Sequence, residues 1–376
     1  MIEHPMGGRV EPGFEPVRTV FEETFATGEE LGAGFCAIEN GQIVVDLWGG
    51  WADRAQTTPW RADTLVPVFS TTKAIAALVV ARVLAGTGGE IGYGTPVASV
   101  WPEFAVAGKD QVTIGEMLSH QAGLPGFKAP IDPDLWLDPP ALAARLAEEA
   151  PMWTPGTMHG YHPLSWGYLA GELVQRIAGQ SLGTVLRDEV CAPAGVDFQI
   201  GLPEADHGRV AEMERPKALP ALGPMNDYKR AAFLTKWAAP NRGGAIWKEI
   251  EIPSANGHGT AKAVAQLYGI YAHGGRLADR EVVPEPVFAE ATASQIVGED
   301  LVLPYVTEFA AGVMRNNLGL YGPNPKTLAH SGWGGSMALG DPDLGLSAAY
   351  VMNRQSNVLQ GDPRARRLVD ALYDCT

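Results

Sequence analysis

Cysteine is scarce in this chain of 376 residues, and positive charge is in deficit. The three cysteines, Cys36, Cys191 and Cys375, are far apart in the sequence and form no Cys-x-x-Cys pair. A disulfide framework and a cysteine-based metal or redox site are therefore excluded. With 28 lysines and arginines against 43 aspartates and glutamates, the net charge is −15. This balance disfavours anionic partners, so neither nucleic acid nor a membrane surface is expected to bind.

Export signals and long hydrophobic segments are also lacking. The N-terminal stretch MIEHPMGGRVEPGFEP has no apolar region after a basic cluster, which a signal peptide requires. We find no apolar run close to the roughly 20 residues that cross a bilayer, and we expect a soluble, cytoplasmic protein. No P-loop motif is present, and no cofactor or metal is expected. The oligomeric state is left open.

The hydrophobic pattern places strands near both ends of the chain and helices in the middle. Apolar runs flank Glu39-Asn40-Gly41 and predict a hairpin with strands at about 33–38 and 42–48. Residues 203–255 are rich in proline and glycine and are expected to be irregular. Further strands are predicted at 310–315, 336–340 and 345–352, and helices at 14–30, 70–85, 113–119, 140–149, 164–178, 181–190, 260–273 and 362–373.

One lysine interrupts an otherwise uncharged apolar run, VFSTTKAIAAL, at residues 68–78. Residues three apart share a helix face, so the amine of Lys73 can reach the hydroxyl of Ser70. Burial would lower the pKa of the lysine and make it a base, and a serine needs a base to become a nucleophile. A chain of this composition contains a Ser-x-x-Lys pair by chance about one time in four. Taken by itself, the pair is therefore explained equally well by a catalytic role and by a capped surface helix.

Two further stretches favour catalysis. Tyr161 lies in a loop just before a predicted helix, within GTMHGYHPLSWGYLAGELVQRIAG at 156–179. The segment HSGWGGSMALG, which begins at His330, is rich in glycine and leads into a predicted strand. Backbone N–H groups in such a segment can approach a ligand closely, as an oxyanion hole requires.

The order of these motifs resembles that of the serine β-lactamases and penicillin-binding proteins. Within that superfamily the chain is most similar to the family VIII carboxylesterases, which are related to class C β-lactamases. MLSHQAGLPGF at 117–127 is similar to another superfamily segment. The resemblance covers nearly the whole chain and implies an α/β plus all-α, β-lactamase-like fold, with an antiparallel sheet flanked by helices. We expect the sheet domain at 1–65 and 258–376 and an inserted helical, loop-rich domain at 66–257, with the active site between them.

The resemblance also implies the roles of individual residues. Ser70 is the acylated nucleophile, Lys73 its base, and Tyr161 assists proton transfer. His330-Ser331-Gly332 occupies the place of Lys-Thr-Gly, and the next three residues are similar to the Trp-Gly-Gly of these esterases. The second donor of the oxyanion hole, beside the N–H of Ser70, would be one N–H within 333–336. The resemblance does not decide which of these N–H groups it is. The implied oxyanion and substrate-binding set is Ser70, His330, Gly332, Trp333, Gly334 and Gly335.

Two departures from the β-lactamase pattern bear on the substrate. His162-Pro163 follows Tyr161 where β-lactamases have x-Asn, so the side-chain amide that contacts a β-lactam is missing. His330 replaces a charged lysine and is mostly neutral near pH 7, which weakens an anchor for a carboxylate. We therefore expect a carboxylesterase for short- to medium-chain acyl esters. A β-lactamase or D-Ala-D-Ala peptidase, an acyltransferase, and a binding protein without activity remain alternatives.

A second serine motif does not indicate a nucleophile. Gly179–Gly183 matches Gly-x-Ser-x-Gly, the nucleophile elbow of α/β-hydrolases, but that elbow follows a buried strand. Here the preceding segment is helical, so Gly179 is predicted to end that helix and Ser181 to cap the next.

Other polar and aromatic residues are given simpler roles. His159 and His162 are expected to be solvated or hydrogen-bonded loop residues rather than metal ligands, and His120 to hold the turn at 119–126. Residues of the proline-rich loop are expected to be solvated: Asp132, Asp134 and Asp138. For three aromatic residues a place in the acyl pocket and a structural role are equally favoured: Tyr228, Trp237 and Trp247.

Overall fold

The computed structural model describes residues 4–218, 220–234 and 244–376. The strands are β1 (Met6–Val10), β2 (Gly32–Glu39), β3 (Gln42–Gly50), β4 (Val66–Pro67), β5 (Phe198–Ile200), β6 (Gly257–Gly259), β7 (Arg276–Leu277), β8 (Arg280–Glu281), β9 (Ile296–Glu299), β10 (Val306–Phe309), β11 (Met314–Arg315), β12 (Leu328–Ser331), β13 (Met337–Asp341) and β14 (Leu346–Met352). The α-helices are α1 (Glu15–Ala26), α2 (Thr72–Gly86), α3 (Ile114–Leu118), α4 (Pro139–Glu148), α5 (Ser165–Ala178), α6 (Leu182–Val185), α7 (Ala192–Ala194), α8 (Asp227–Lys229), α9 (Ala245–Glu249), α10 (Ala261–Ala272), α11 (Glu285–Thr292) and α12 (Pro363–Tyr373).

A nine-stranded antiparallel sheet joins the two ends of the chain. Its order is β1-β3-β2-β14-β13-β12-β11-β10-β9. The hairpin β2–β3 turns at Asn40 and Gly41, both at positive φ, as the Asn-Gly signal predicts. Strand β14 pairs with β2 from Met352 opposite Ala33 to Leu346 opposite Glu39. This pairing within the sheet therefore joins residues more than 300 positions apart.

Helices cover both faces of the sheet. On one face α1 and α12 bury an apolar layer, with Val17, Phe21 and Phe25 from α1 and Leu368 and Leu372 from α12. On the other face α10 packs against β2, β13 and β14, and it also contacts α2. The predicted architecture, an antiparallel sheet flanked by helices with helices inserted between its halves, is confirmed.

The segment Phe69–Gly86 is long and apolar enough to cross a membrane by length and composition alone. The expectation that no apolar run approaches that length is therefore wrong. However, 78% of this segment is buried inside the protein. A helix that is apolar on every side and buried in this way is typical of the core of a globular protein.

Several predicted boundaries differ from the structure. The helix predicted at 14–30 ends at Ala26, and the one at 181–190 is α6 continued by a π-helical stretch, Leu186–Cys191. The strand predicted at 310–315 is wrong over 310–313, which turn the chain between β10 and β11 around Gly312 at positive φ. In the large sheet, strands β1, β9, β10 and β12 were not predicted, because short strands carry little hydrophobic pattern.

The division of the chain into domains stays a prediction. A second, three-stranded sheet has the order β4-β6-β5. Its strand β6 crosses the predicted boundary at 257/258, whereas β4 and β5 lie within the predicted helical domain. This small sheet therefore pairs residues of the two predicted domains.

Two tyrosines of α10 bind the start of α2. The hydroxyl of Tyr268 donates to the Thr71 carbonyl over 2.8 Å, and that of Tyr271 donates to the Ala74 carbonyl over 2.8 Å. Both side chains are buried. The large sheet thus fixes, through α10, the position of the turn that carries Ser70.

Replacing Tyr268 by Phe removes one of these hydrogen bonds without changing the shape of the core. We expect Y268F to lower the free energy of unfolding by about 1 kcal/mol, the usual net contribution of such a bond. Y93F is a matched control, because the buried Tyr93 hydroxyl has no hydrogen-bond partner in the described parts of the chain. Urea unfolding should show no loss for Y93F, and equal losses in both variants would contradict the prediction.

Candidate active site

Ser70 lies on a short 3₁₀ turn, Phe69–Thr71, between β4 and α2. The helix predicted at 70–85 therefore begins as α-helix two residues later, at Thr72. Phe69 has a φ of 49°, a left-handed conformation that is strained for a bulky residue. The turn is held by its neighbours, since the Ser336 hydroxyl donates to the Val68 carbonyl over 2.7 Å. Ser70 is half-buried at the opening of the turn, while its two flanking residues are buried.

The amine of Lys73 is enclosed beside Ser70. The side chain has no exposed surface, and Nζ lies 3.1 Å from Ser70 Oγ. Nζ also donates to the carbonyl oxygens of Pro163 over 2.7 Å and of Ser254 over 3.0 Å. Burial holds the pKa of Lys73 well below its usual value, because the charged form has lost its water. The predicted burial of this lysine and its contact with Ser70 are both observed.

The three contacts match the bonding capacity of a neutral amine. Such an amine has two N–H groups and one lone pair. The two carbonyl oxygens can only accept, so they occupy both N–H groups. The lone pair is then left for the Ser70 hydroxyl, which donates to it. In the charged form the third N–H instead donates to Ser70, so the same geometry accommodates the proton before and after transfer.

Tyr161 completes a group of three with Ser70 and Lys73. The centre of its ring lies 4.8 Å from Lys73 Nζ. Burial raises the pKa of the Tyr161 phenol above its usual value, and a side-chain hydrogen bond with Ser70 acts in the opposite direction. The phenol therefore stays protonated and can donate. The structure thus brings together all three residues that the sequence nominated for chemistry.

Asp300 anchors Tyr161 and was not predicted. Its Oδ1 accepts from the backbone N–H groups of Tyr161 over 2.9 Å and of Val302 and Leu303 over 2.8 Å each. Its Oδ2 accepts from Thr307 over 3.2 Å. Burial raises the pKa of Asp300, and the backbone donors oppose that shift. No motif surrounds Asp300 in the sequence, and it lies 139 positions from Tyr161, so nothing local could have indicated it.

His330 borders the cleft as a neutral acceptor. Its Nδ1 lies 2.7 Å from the Ser331 carbonyl, which can only accept, so Nδ1 carries the proton. Nε2 is then a bare lone pair, and it has no hydrogen-bond partner among the described residues. Burial and the nearby Lys73 lower the pKa of His330 to about 3. A lysine at this position would present a positive charge, whereas His330 presents none.

The glycine-rich segment after His330 forms a tight loop beside Ser70. The Gly332 N–H donates to the Ser336 carbonyl over 2.7 Å, and the Gly335 N–H donates to the Gly332 carbonyl over 3.2 Å. Both N–H groups are therefore used within the loop. The side of Gly334 where a Cβ would lie faces Gln355. Trp333, in contrast, lines the cleft together with Ser70, Tyr161 and His330.

A buried charge network holds the back of this loop. Gln355 donates to the Trp333 carbonyl over 3.0 Å, and Arg364 donates to the Gly334 carbonyl over 3.3 Å. Arg364 is itself paired with Glu30 over 3.0 Å and with Asp362 over 2.9 Å. All three charged side chains are buried. The turn between α1 and β2, which carries Glu30, and the last helix thus support one loop of the site.

The neighbouring histidines are buried rather than solvated. His162 Nδ1 donates to the Gly160 carbonyl over 2.6 Å, and its Nε2 accepts from the Leu124 N–H over 2.9 Å, so neither ring nitrogen is free for a metal. His159 lies 2.8 Å from the Thr307 hydroxyl. His120 Nδ1 accepts from the His162 N–H over 3.1 Å. His120 therefore joins the turn at 119–126 to the Tyr161 loop, whereas the sequence predicted only that it holds the turn.

The remaining predictions have simpler outcomes. Ser181 caps α6 by accepting from the Thr184 N–H, and Gly179 ends α5 in the left-handed conformation, both as predicted. Trp247 is buried in the main core, whereas Tyr228 packs near Tyr161 and contacts Trp153. Trp237 lies outside the described residues. The aspartates of the proline-rich loop are exposed as expected, and two of them also cap helical turns: Asp132 and Asp138.

These features define a class of protein. A half-buried serine beside a buried lysine and a tyrosine, at the edge of an antiparallel sheet built from both ends of the chain, is the arrangement of the β-lactamase-like serine hydrolases. The chain belongs to the Beta-lactamase family, which matches residues 17–373. It is a serine hydrolase of the esterase and β-lactamase kind.

Similar proteins agree with this assignment. The esterase/beta-lactamase LipL of Mycobacterium tuberculosis is 33% identical over 367 residues, with 92% of this chain and 82% of LipL covered. A penicillin-binding protein homologue from Caulobacter crescentus has a crystal structure with a TM-score of 0.95 and 49% identity, over 99% of this chain and all of that one. The crystal structure of a family VIII carboxylesterase gives a TM-score of 0.92 and 39% identity over the same coverage. The resemblance to family VIII is confirmed.

The anchoring of Tyr161 by Asp300 can be tested with two substitutions. D300A leaves three buried N–H groups without their acceptor, so we expect at least a tenfold loss of kcat and a lower unfolding free energy, by about 1–3 kcal/mol. D300N keeps an oxygen at Oδ1 and should recover most of the kcat and most of the unfolding free energy. Hydrolysis of 4-nitrophenyl butyrate and urea unfolding measure the two effects. Full activity in a folded D300A protein would contradict the role given to Asp300.

Proposed function

We propose that this chain is a carboxylesterase that hydrolyses esters of short- to medium-chain acyl groups through an acyl-enzyme on Ser70. One observation carries the proposal, namely the placement of the Lys73 amine. Its two N–H groups bind backbone carbonyls, and its remaining bonding direction meets the Ser70 hydroxyl. Burial lowers the pKa of Lys73 and so favours the neutral amine.

Acylation follows from this geometry. Lys73 takes the proton of Ser70 as Oγ bonds to the ester carbonyl carbon. The resulting oxyanion is held by the backbone N–H of Ser70, in the turn just before α2, and by one backbone N–H of the segment 333–336. When the carbon–oxygen bond of the ester breaks, the departing alkoxide takes the proton of the Tyr161 phenol. The Lys73 ammonium returns a proton to Tyr161, and neutral alcohol leaves.

Deacylation repeats the sequence with water. A water molecule gives its proton to the neutral amine of Lys73 as its oxygen bonds to the acyl carbon. The bond to Ser70 Oγ then breaks, and Oγ regains the proton through the same pair of side chains. The products are one carboxylic acid and one alcohol for each ester and water consumed. Tyr161 suits this relay because its phenol stays protonated between the two steps.

The charge of the cleft supports an ester rather than a β-lactam substrate. A β-lactam carries a carboxylate, and the position where related enzymes place a lysine is held here by a neutral imidazole with a bare lone pair. That lone pair repels a carboxylate. The nearby cleft walls are apolar at Phe233, Leu303 and Leu359. A neutral ester loses little on entering such a cleft, whereas an anion must give up its water without compensation.

The role of Lys73 can be tested against a second buried lysine. K73M should lower kcat on 4-nitrophenyl butyrate by about 10²–10⁴-fold, the usual contribution of a general base, and S70A should abolish it. Lys109 is the matched control, because it is also buried and also donates to two carbonyls, those of Val106 and Glu149. K109M should retain activity.

The pH profile of the wild-type protein belongs to the same test. The base form of Lys73 is the neutral one, so kcat/KM should rise with pH and reach its plateau well below the usual lysine value of 10.5. Activity in K73M equal to that of K109M would contradict the mechanism. Chain length is checked with 4-nitrophenyl esters from acetate to palmitate, for which the maximum is expected at short to medium chains.

Substrate charge can be tested at His330. H330K places a cation where the cleft has a neutral lone pair, so turnover of a chromogenic cephalosporin, which carries a carboxylate, should increase at least about tenfold. Cleavage of 4-nitrophenyl butyrate should fall or stay level. H330Q, which adds no charge, is the control and should give no gain on the cephalosporin. Fast cephalosporin turnover by the wild-type protein would instead favour the β-lactamase alternative.

A further inference from the structure

Two hydrogen-bond acceptors in the wall of the Ser70 cleft lack donors. His330 is 2% exposed, and its Nε2 lone pair has no partner in the parts of the chain that the structure describes. The side-chain oxygen of Gln360, Oε1, is buried and equally without a partner there. Both residues line the same cleft as Ser70 and Tyr161. The two unused acceptors therefore border the space in which the ester is cleaved.

The remaining contacts of both side chains fix which of their atoms is left unused. Nδ1 of His330 donates to the Ser331 carbonyl over 2.7 Å, so Nε2 can only accept. The amide nitrogen of Gln360 lies 3.4 Å from Met314 Sδ, a sulfur that has no proton to give. The amide therefore turns its N–H groups toward that sulfur and its oxygen away from it. An unpaired buried acceptor costs about 1–3 kcal/mol, so a donor is expected at each of these atoms.

The charge of the surroundings decides which kind of donor fits. A carboxylate brings only acceptors and would face the two lone pairs. An ammonium donates, but Lys73 is close enough to lower the pKa of His330, and Lys73 becomes charged when Ser70 gives up its proton. Two cations would then share one enclosed site, which is unfavourable. A hydroxyl donates without a charge, so it suits these acceptors in every step of the reaction.

The chemistry at Tyr161 indicates which part of the ester carries the hydroxyl. The departing alkoxide takes its proton from the Tyr161 phenol, so this oxygen must come within hydrogen-bond distance of the phenol. The ring of His330 lies 6.0 Å from the ring of Tyr161, measured between their centres. A substituent one or two carbons from the departing oxygen can therefore reach the His330 side of the cleft. Such a substituent belongs to the alcohol part of the ester.

We propose that the alcohol of the natural ester carries further hydroxyl groups, which donate to His330 Nε2 and Gln360 Oε1. The inference rests on the proposed esterase function and names its substrate class: monoesters of polyols such as glycerol. The lone pair that repels a carboxylate is then the same one that accepts from a neutral hydroxyl. The apolar side chains of the cleft, among them Phe233 and Leu303, are left to contact the carbon atoms of the substrate.

The test compares three butyrates that differ only in the alcohol. They are 1-butyrylglycerol, its di-O-methyl ether and 2-methylbutyl butyrate. The ether keeps both oxygens and their inductive effect but has no donor, and the 2-methylbutyl group has methyl groups in place of the two hydroxyls. Titration of the butyric acid released measures all three rates. We expect kcat/KM for 1-butyrylglycerol to be at least about tenfold higher than for the other two, since an acceptor left unpaired costs that much.

Two variants assign the preference to the two acceptors. H330F removes the lone pair and keeps a planar ring, and Q360M removes the amide oxygen and keeps the length of the side chain. Each should lower the ratio of kcat/KM between 1-butyrylglycerol and 2-methylbutyl butyrate at least about threefold, the effect of one neutral hydrogen bond. Because the ratio is measured within one variant, a general loss of activity does not change it. Leu359 lines the same cleft without a polar group, so L359M is the control and should keep the ratio.

The outcomes separate this inference from the esterase function. Equal rates for the three butyrates, or a ratio that neither H330F nor Q360M changes, would overturn the inference and leave the esterase function supported. Equal rates combined with faster cleavage of ethyl 3-hydroxybutyrate than of ethyl butyrate would place the hydroxyl on the acyl part and overturn the assignment to the alcohol. Failure to cleave these butyrates and 4-nitrophenyl butyrate would overturn both proposals.

Discussion

The position of one buried amine organises the rest of this structure. Lys73 has lost its contact with water and is compensated by the carbonyls of Pro163 and Ser254 and by the hydroxyl of Ser70. Because those carbonyls belong to segments 90 and 181 positions away, the amine is correctly placed only when three distant parts of the chain meet. An ammonium would be costly in this enclosure, so the fold itself favours the base.

Local patterns made part of the site predictable. Ser70 and Lys73 are one turn apart on an apolar segment, and the Tyr161 loop and the glycine-rich segment carry motifs that can be recognised along the chain. The hairpin at Asn40-Gly41 and the end of α5 at Gly179 were also predictable, because positive φ favours these residues. The sheet followed from strand patterns at both ends, although its shortest strands did not.

Contacts between residues far apart in the chain account for the features of the site that could not be predicted from the sequence. Asp300 acts on Tyr161 through backbone N–H groups, and those donors exist at every residue, so no residue type marks the contact. The spacing of residues in the sequence indicates neither the burial of a side chain nor whether it lacks a hydrogen-bond partner. The neutral state of His330 was foreseen, whereas its proton position needed the Ser331 carbonyl to be located.

The ion network behind the glycine-rich loop couples two distant parts of the chain during folding. Glu30 and Arg364 are 334 positions apart, and their pairing, together with Asp362, supports the carbonyl of Gly334. A folding intermediate in which α12 has not yet docked leaves the loop that carries Trp333 without this support. Docking of α12 thus completes one wall of the cleft, and a partly folded chain lacks that wall.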